Sequence, residues 1–540
     1  MKNYKYYICG LLFVVILFSG CAKKPEATAA AGTAGQIKVE PLTLPVVANK
    51  LTLTFWCNLG FKQQQVMSSW SSIEGIQIIE QKTNVKLDFM HPPVGGEREQ
   101  LNVMIAARNL PDVIYTGWDD IPGGPGKMIS DGVIIDINSL AKQYAPNLLA
   151  FWEKNPKQRI YTYTDENECF GMPYYWPDDK GYVYHFGYVV RGDWAEKLKL
   201  KHPTNVDEWY SFLKAIKTGD PNGNGKADEL PLVAQMYGGL LETQRMFGIE
   251  PNTLFYVENN ALVSAIHQPE YKEWLATMQK WYAEGLIDPD VLSTNRANLD
   301  NKVLTDRAGA YWSGAGTGQL GLYMKQKQNE GNTTFSLNPV PIPTTKKGER
   351  LAWLKIVSGV AAGITSTNKF PKETVKYFDY YFSDEGHYLS QIGPEGKAYN
   401  RINGEIVFTD YVTKNPNGLS FDSALILCGL APMDMVGYEV ADYWKYNISF
   451  TPQAASSDKI WSDYTAYKVP VALRFTSAEA STVASLLNDI RAMNEETVSK
   501  IILGQLKVDD YDTLVKNAEN AGHAELFNLY KAAYQRSLKR

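Results

Sequence analysis

Apolar and polar positions alternate in Leu51-Thr52-Leu53-Thr54-Phe55-Trp56, which predicts a strand with one buried face. Val85-Lys86-Leu87-Asp88-Phe89 repeats the pattern, and Val113-Ile114-Tyr115 reads as a short buried strand. Between them the period changes. Residues 60–82 read as helical, and 97–108 place Leu101, Met104 and Ile105 on one face before Asn109-Leu110-Pro111-Asp112 breaks the helix. This β-α-β-α-β order predicts an α/β fold with a mostly parallel sheet. Ligands of such sheets bind beyond the carboxyl ends of the strands. Here those ends are Trp56-Cys57-Asn58 and the run from Tyr115 to Asp120, with Trp118 and Asp119.

Further on, Thr204 is an expected N-cap, with Asp207 and Glu208 in the first turn and Trp209, Phe212, Leu213 and Ile216 on the apolar face. Tyr271, Trp274, Leu275, Met278, Trp281 and Tyr282 form one stripe of a helix that Gly285 stops. Residues 374–382 predict another helix. Thr476-Ser477-Ala478-Glu479 is a capping box opening a long one to about 503, and residues 478–540 are helical by pattern.

Residues 220–231, Asp-Pro-Asn-Gly-Asn-Gly-Lys-Ala-Asp-Glu-Leu-Pro, carry the clearest chemistry. Asp220, Asn222, Asn224, Asp228 and Glu229 put oxygen-bearing side chains at loop positions 1, 3, 5, 9 and 10, with Lys226 at position 7. Hard cations take six to eight oxygen ligands, and this spacing wraps a chain around one Ca²⁺ ion. The first half resembles an EF-hand loop; position 12, where that loop has a bidentate Glu, is Pro231. The expected ion is structural, and a solvated Asx-turn loop is the alternative.

The N-terminus reads as a signal segment: Lys2 and Lys5, a mostly apolar stretch from Tyr6 to Phe18, then Ser19-Gly20 before Cys21. It resembles the bacterial lipobox, with Phe18 where Leu is usual; that implies removal of residues 1–20, diacylation of Cys21 and a lipid anchor. Residues 21–45, rich in Ala, Thr, Gly and Pro, suit a flexible tether. The remainder is too long for one core. With 54 basic and 59 acidic residues and no basic run, nucleic acid is an unsuitable partner. Cys57, Cys169 and Cys428 are widely spaced; they leave room for one disulfide and read first as buried thiols. The 33 Tyr, 20 Phe and 13 Trp serve a core in part and also suit sugar rings, which pack on aromatic faces.

Several ordered segments then resemble one family. They are Asn109-Leu110-Pro111-Asp112-Val113, Phe170-Gly171-Met172-Pro173, Arg191-Gly192-Asp193-Trp194, Pro203-Thr204 with Asp207-Glu208-Trp209, Gly285-Leu286-Ile287-Asp288-Pro289, Ser383-Asp384-Glu385-Gly386 and the cation loop. Across residues 46–540 the chain resembles extracellular solute-binding lipoproteins of ABC importers, of the type similar to oligosaccharide- and alginate-binding proteins.

The resemblance implies a two-lobed, periplasmic-binding-protein-like fold (type II-like) with discontinuous lobes and a helical C-terminal part. Expected lobes are 46–170 with about 366–470, and 171–365 with about 471–540. Crossings are expected near 171–173, 360–366 and 470. It implies a monomer that closes on a carbohydrate and delivers it to a permease, without catalysis. Trp56, Trp118, Asp119, Tyr174, Tyr175, Trp176, Tyr237, Trp312, Trp444 and Arg474 are the expected cleft residues, chosen from strand ends and aromatics; each reads equally as packing. Arg474 suits a carboxylate or sugar hydroxyls, or an ion pair with the C-terminal helix. The rival readings are a secreted glycosidase or lyase using Asp119, Asp120, Asp178 or Asp179, and a peptide-binding protein of the same fold.

Overall fold

A computed structural model describes residues 38–93, 95–121, 123–175, 186–251, 253–317, 319–351, 360–430, 435–466, 468 and 473–539. The signal segment, Cys21, most of the tether, Trp176, Asp178 and Asp179 lie outside these residues, as does the side chain of Tyr237. Val39–Arg540 form one unit.

Two sheets organise it. The first contains β1 (Leu51–Trp56), β2 (Val85–Met90), β3 (Val113–Gly117), β4 (Met172–Tyr175), β11 (Val360–Ile364) and β14 (Gly437–Tyr438), in the order β14-β4-β11-β3-β1-β2. The second contains β5 (Phe186–Arg191), β6 (Leu230–Val233), β9 (Ala308–Gly314) and β10 (Leu337–Pro339), in the order β10-β5-β9-β6. Two hairpins stand apart: β7 (Phe255–Glu258) with β8 (Ala261–Ser264), and β12 (Tyr399–Ile402) with β13 (Glu405–Phe408).

The predicted strands β1, β2 and β3 form, and β1 lies parallel to both its neighbours. The sheet is mixed, because β11 returns antiparallel to β3 and β4. In β1, Leu53 and Phe55 enter one core and Trp56 the opposite one, so both faces are covered. The second sheet is covered likewise, with Ala310 and Tyr311 of β9 on opposite cores. The chain passes from the first sheet to the second between β4 and β5 and returns between β10 and β11. Helix Pro452–Trp461 buries Ala454 and Trp461 in a core with Val189 and Leu337 of the second sheet, well before the crossing expected near 470.

The predicted helix over 60–82 is broken. Helix Phe61–Gln64 ends early, and Ser69 caps a single turn at Trp70–Ser72 by accepting from Ser71 N before helix Glu74–Thr83 begins. The serines around Trp70 offer the backbone local hydrogen bonds that compete with helix. The cap predicted at Thr204 falls on Asn205, whose side chain accepts from Glu208 N; Glu208 reaches back to Thr204 N at 2.8 Å. The capping box of Thr476 and Glu479 forms and opens helix Ser477–Ile502. That helix and its successors, Asp510–Asn520 and His523–Ser537, pack into the larger core of the second sheet. Cys57, Cys169 and Cys428 are buried free thiols; burial pushes Cys169 up to about 12 and Cys428 to about 11. Among the described residues no helix is long and apolar enough to cross a membrane.

Candidate functional site

Four of the eight aromatic residues expected in a cleft, Trp56, Trp118, Tyr174 and Tyr175, are buried. Trp118 is fully buried and its Nε1 donates to Ala361 O at 2.9 Å. Gly363 is required beside it, since a Cβ there would come within 2.4 Å of the Trp118 ring. Trp56 shares that core and donates to Gln100 Oε1 at 2.7 Å. Tyr175 packs on the sheet's other face, its hydroxyl 2.8 Å from both Trp152 Nε1 and Thr162 Oγ1, and Tyr174 is buried in the same strand. Alternation and strand ends locate such rings but do not say which way the sheet is covered.

Arg474 and Asp119 do meet. Arg474 Nη1 lies 2.5 Å from Asp119 Oδ2, and its Nη2 donates to Tyr161 O at 2.7 Å. Among the described residues, the guanidinium pairs with Asp119 and not with the C-terminal helix. Instead Arg536 of that helix donates to the Arg474 carbonyl at 3.2 Å and pairs with Glu479. Arg474 is therefore a buried tie between the loop after β3 and the segment leading to helix Ser477–Ile502. A cavity of about 300 Å³ lies beside the pair, lined also by Arg98, Asp120 and Arg491. Burial, then the Asp119 carboxylate, pushes Asp120 up.

The two sheets approach one another at a cluster the sequence did not single out. Lys62 follows β1, and Thr317 follows β9; both are at carboxyl ends. Asp422, almost fully buried on helix Phe421–Ile426, pairs with Lys62. It accepts from Thr317 Oγ1 at 2.8 Å and from the Tyr443 hydroxyl at 3.1 Å. Asn447, one turn along helix Ala441–Ser449 from Tyr443, donates to Thr317 Oγ1 and to the Tyr443 hydroxyl. Burial pushes the Tyr443 phenol up, so it acts as a neutral donor. The contact is close: a Cβ on Gly316 would sit 2.1 Å from Asn447 O. Next to Lys62, the Gln63 amide is buried and neither of its polar atoms finds a partner among the described residues. Trp444 is half-buried on the same helix, its ring 5.2 Å from Tyr443, and half-buried Trp312 in β9 meets Tyr188 edge-on at 5.0 Å.

The cation loop lies at the other end of the second sheet, immediately before β6. Asp220 Oδ1 and Oδ2 accept from Asn224 N and Gly225 N at 3.1 Å each. Asn222 and Asn224 both donate to Asp228, and the Asn224 bond, then that of Asn222, draws the Asp228 carboxyl below its usual range. Lys197 pins the loop through Pro221 O at 2.9 Å, and Asn222 Nδ2 reaches Asp306 O just before β9. Glu229 Oε1 is buried without a partner among the described residues, and burial, then Asp228 and Asp220, pushes that carboxyl up. A set of side-chain oxygens that includes a buried carboxylate oxygen without a partner among the described residues fits a hard cation. The exposed Lys226 side chain is a cation and does not.

Residues 76–388 match the family described as bacterial extracellular solute-binding protein, and the chain belongs to it. Over 548 residues it is 22% identical to the polygalacturonan/rhamnogalacturonan-binding protein YtcQ of Bacillus subtilis, covering 98% of each chain. Lipoprotein LipO of the same organism is 24% identical over 434 residues, 79% of this chain and 78% of LipO. The fructooligosaccharide ABC transporter substrate-binding protein FusA of Streptococcus pneumoniae is 25% identical over 317 residues, 56% of each. Among solved structures, alginate-binding protein AlgQ2 without calcium ion superposes with a TM-score of 0.77 at 24% identity, covering 91% of this chain and 99% of AlgQ2. FusA in complex with kestose gives 0.70 at 19%, covering 90% and 99%. The fold is thus that of the two-lobed solute-binding proteins.

Proposed function

We propose that this chain is the substrate-binding lipoprotein of an ABC importer and that it captures an oligosaccharide between lobes built on the two sheets. The junction of Lys62, Asp422, Thr317, Tyr443 and Asn447 carries the reading. Carboxyl-terminal loops of both sheets converge there on neutral and charged hydrogen-bonding groups. Such groups suit sugar hydroxyls, and the Gln63 amide supplies a donor and an acceptor in want of partners. Trp444 and Trp312 offer the half-buried ring faces on which sugars pack. Trp176 and Tyr237 complete the expected aromatic set. YtcQ and FusA, both carbohydrate-binding by name, support the ligand class.

A ligand touching both lobes stabilises the closed form, which the permease reads. The cargo leaves uncut, in keeping with the solute-binding family; Asp119, one of the carboxylates a hydrolase would use, is tied to Arg474. The loop 220–229 binds one Ca²⁺ as a structural ion, remote from the junction. Cys21 carries the lipid that keeps the monomer at the membrane.

Calorimetric titration with neutral and acidic oligosaccharides tests this. One class should bind with micromolar or tighter affinity, about −8 kcal/mol or better, and Asp422→Ala should weaken it at least tenfold. Binding of peptides but no oligosaccharide, or recovery of shortened sugars, refutes it. Mass spectrometry of the membrane-extracted protein should find an acylated Cys21 at its N-terminus.

A further inference from the structure

Three residues from two distant parts of the chain meet where hairpin β7–β8 touches the turn between the last two helices. His267 ends the single turn Ala265–His267 after β8, Glu519 lies near the end of helix Asp510–Asn520, and His523 opens helix His523–Ser537. Glu519 Oε1 is 2.9 Å from His267 Nε2 and 3.2 Å from His523 Nδ1. All three atoms lie within 4.8 Å of one another. On the far side of both rings stands one hydroxyl: Ser264 Oγ is 2.8 Å from His267 Nδ1 and 3.0 Å from His523 Nε2.

With both imidazoles neutral and Glu519 ionised, the hydrogens present leave one of these contacts unmet, and the arrangement calls for one added cation, a proton or a metal ion. Its four contacts need four hydrogens, whereas two neutral imidazoles and one hydroxyl bring three. A metal ion removes the deficit. With both imidazole N–H groups donating to Ser264 Oγ, which has two lone pairs, Nε2 of His267, Nδ1 of His523 and Glu519 Oε1 all turn lone pairs to one point. A shared acceptor behind two ligating histidines is the outer-shell support that fixes their tautomers. Tetrahedral zinc with bonds of about 2.0–2.1 Å separates its ligands by about 3.3 Å, close to the two spacings seen.

We propose that His267, Glu519 and His523 bind Zn²⁺, with water in the fourth position. Two nitrogens and one oxygen suit a borderline metal and not Ca²⁺ or Mg²⁺, which prefer oxygen alone. His267 and Glu519 are 38% and 39% exposed and give the ion an entry, while His523, at 3%, anchors it. The ion clasps the C-terminal helices to hairpin β7–β8, beside the contact of Phe255 with Phe527 and Tyr530.

The test uses the full chain without a polyhistidine tag, saturated with Ca²⁺ so that the loop 220–229 is occupied. Titration with Zn²⁺ should show one ion per chain and a rise of several degrees in Tm that Mg²⁺ does not produce. Co²⁺ should give the visible absorption of a four-coordinate site. H267Q and E519Q, both at exposed positions, should keep the metal-free Tm and lose the Co²⁺ spectrum and most of the Zn²⁺ affinity. Ser264→Ala should weaken Zn²⁺ by roughly 10- to 100-fold, as outer-shell losses do. No Zn²⁺ binding by the wild type, or equal affinity in H267Q and E519Q, overturns the proposal and leaves a shared proton as the cluster's cation.

Discussion

In the loop 220–229, the side chains that meet one another all come from one short segment. At the junction the partners come from four: Lys62, Thr317, Asp422, and Tyr443 with Asn447. The loop needs only backbone that can turn, and Gly223 and Gly225, both at φ 72°, supply it. The junction needs both sheets and three helices in place. A local polar site is thus built mainly by its own segment, with Lys197 and the Asp306 carbonyl as outside ties, whereas a site assembled from afar reports on the whole fold.

The most severe test of that contrast is Asp422→Ala. It strips the acceptor from Lys62, Thr317 and Tyr443 at once, and breaking a buried charge pair costs about 3–5 kcal/mol. Lys62 keeps some solvent, so the low end of that range is expected in urea unfolding. A loss under about 1 kcal/mol, the size of one ordinary hydrogen bond, breaks the comparison. Calcium should act on the other site by mass action. Chelation from free Ca²⁺ at 100 times Kd should remove about 2.7 kcal/mol. Asp220→Ala and Asp228→Ala should abolish the response, and Asp422→Ala should leave it intact; joint loss would show that the sites are coupled.

Acid supplies a background that both measurements must subtract. His387 is buried, stacked 3.7 Å from the Tyr438 ring, and burial, then the Arg401 charge, lowers it to about 3. Below its ordinary value near 6.5 the unfolded chain takes a proton that the folded chain refuses. Stability should therefore fall from pH 7 to pH 5 by about 2 kcal/mol on this account. His387→Phe, which keeps the stack, should flatten that part of the urea-midpoint profile, and an unchanged slope would assign it elsewhere. The smallest effect is expected from Tyr443→Phe, about 1 kcal/mol for one buried hydroxyl with two partners. Its cost should shrink in the Asp422→Ala background, because the two share a bond.

Much of the first sheet could be read from sequence because alternation in β1 and β2 and the apolar run of β3 are local signals. The second sheet was harder. β6 is four wholly buried residues, and β10 is three, too short to show a period. The rings illustrate a different limit. Trp118 and Trp444 are alike in sequence, yet one is fully enclosed with its N–H on Ala361 and the other is half-buried. Large amphipathic rings serve core and binding surface equally.

The sequence by itself determined what neighbouring residues decide among themselves: the turn from Asp220 to Glu229, the capping box of Thr476 and Glu479, and the alternation of β1. It also carried the family. Only the tertiary structure decided that Asp422 faces Lys62 and Thr317, that Arg474 is committed to Asp119, and that His267 meets His523. A buried polar group takes the partner that packing brings within hydrogen-bond reach, and that choice is made by chain segments hundreds of residues apart.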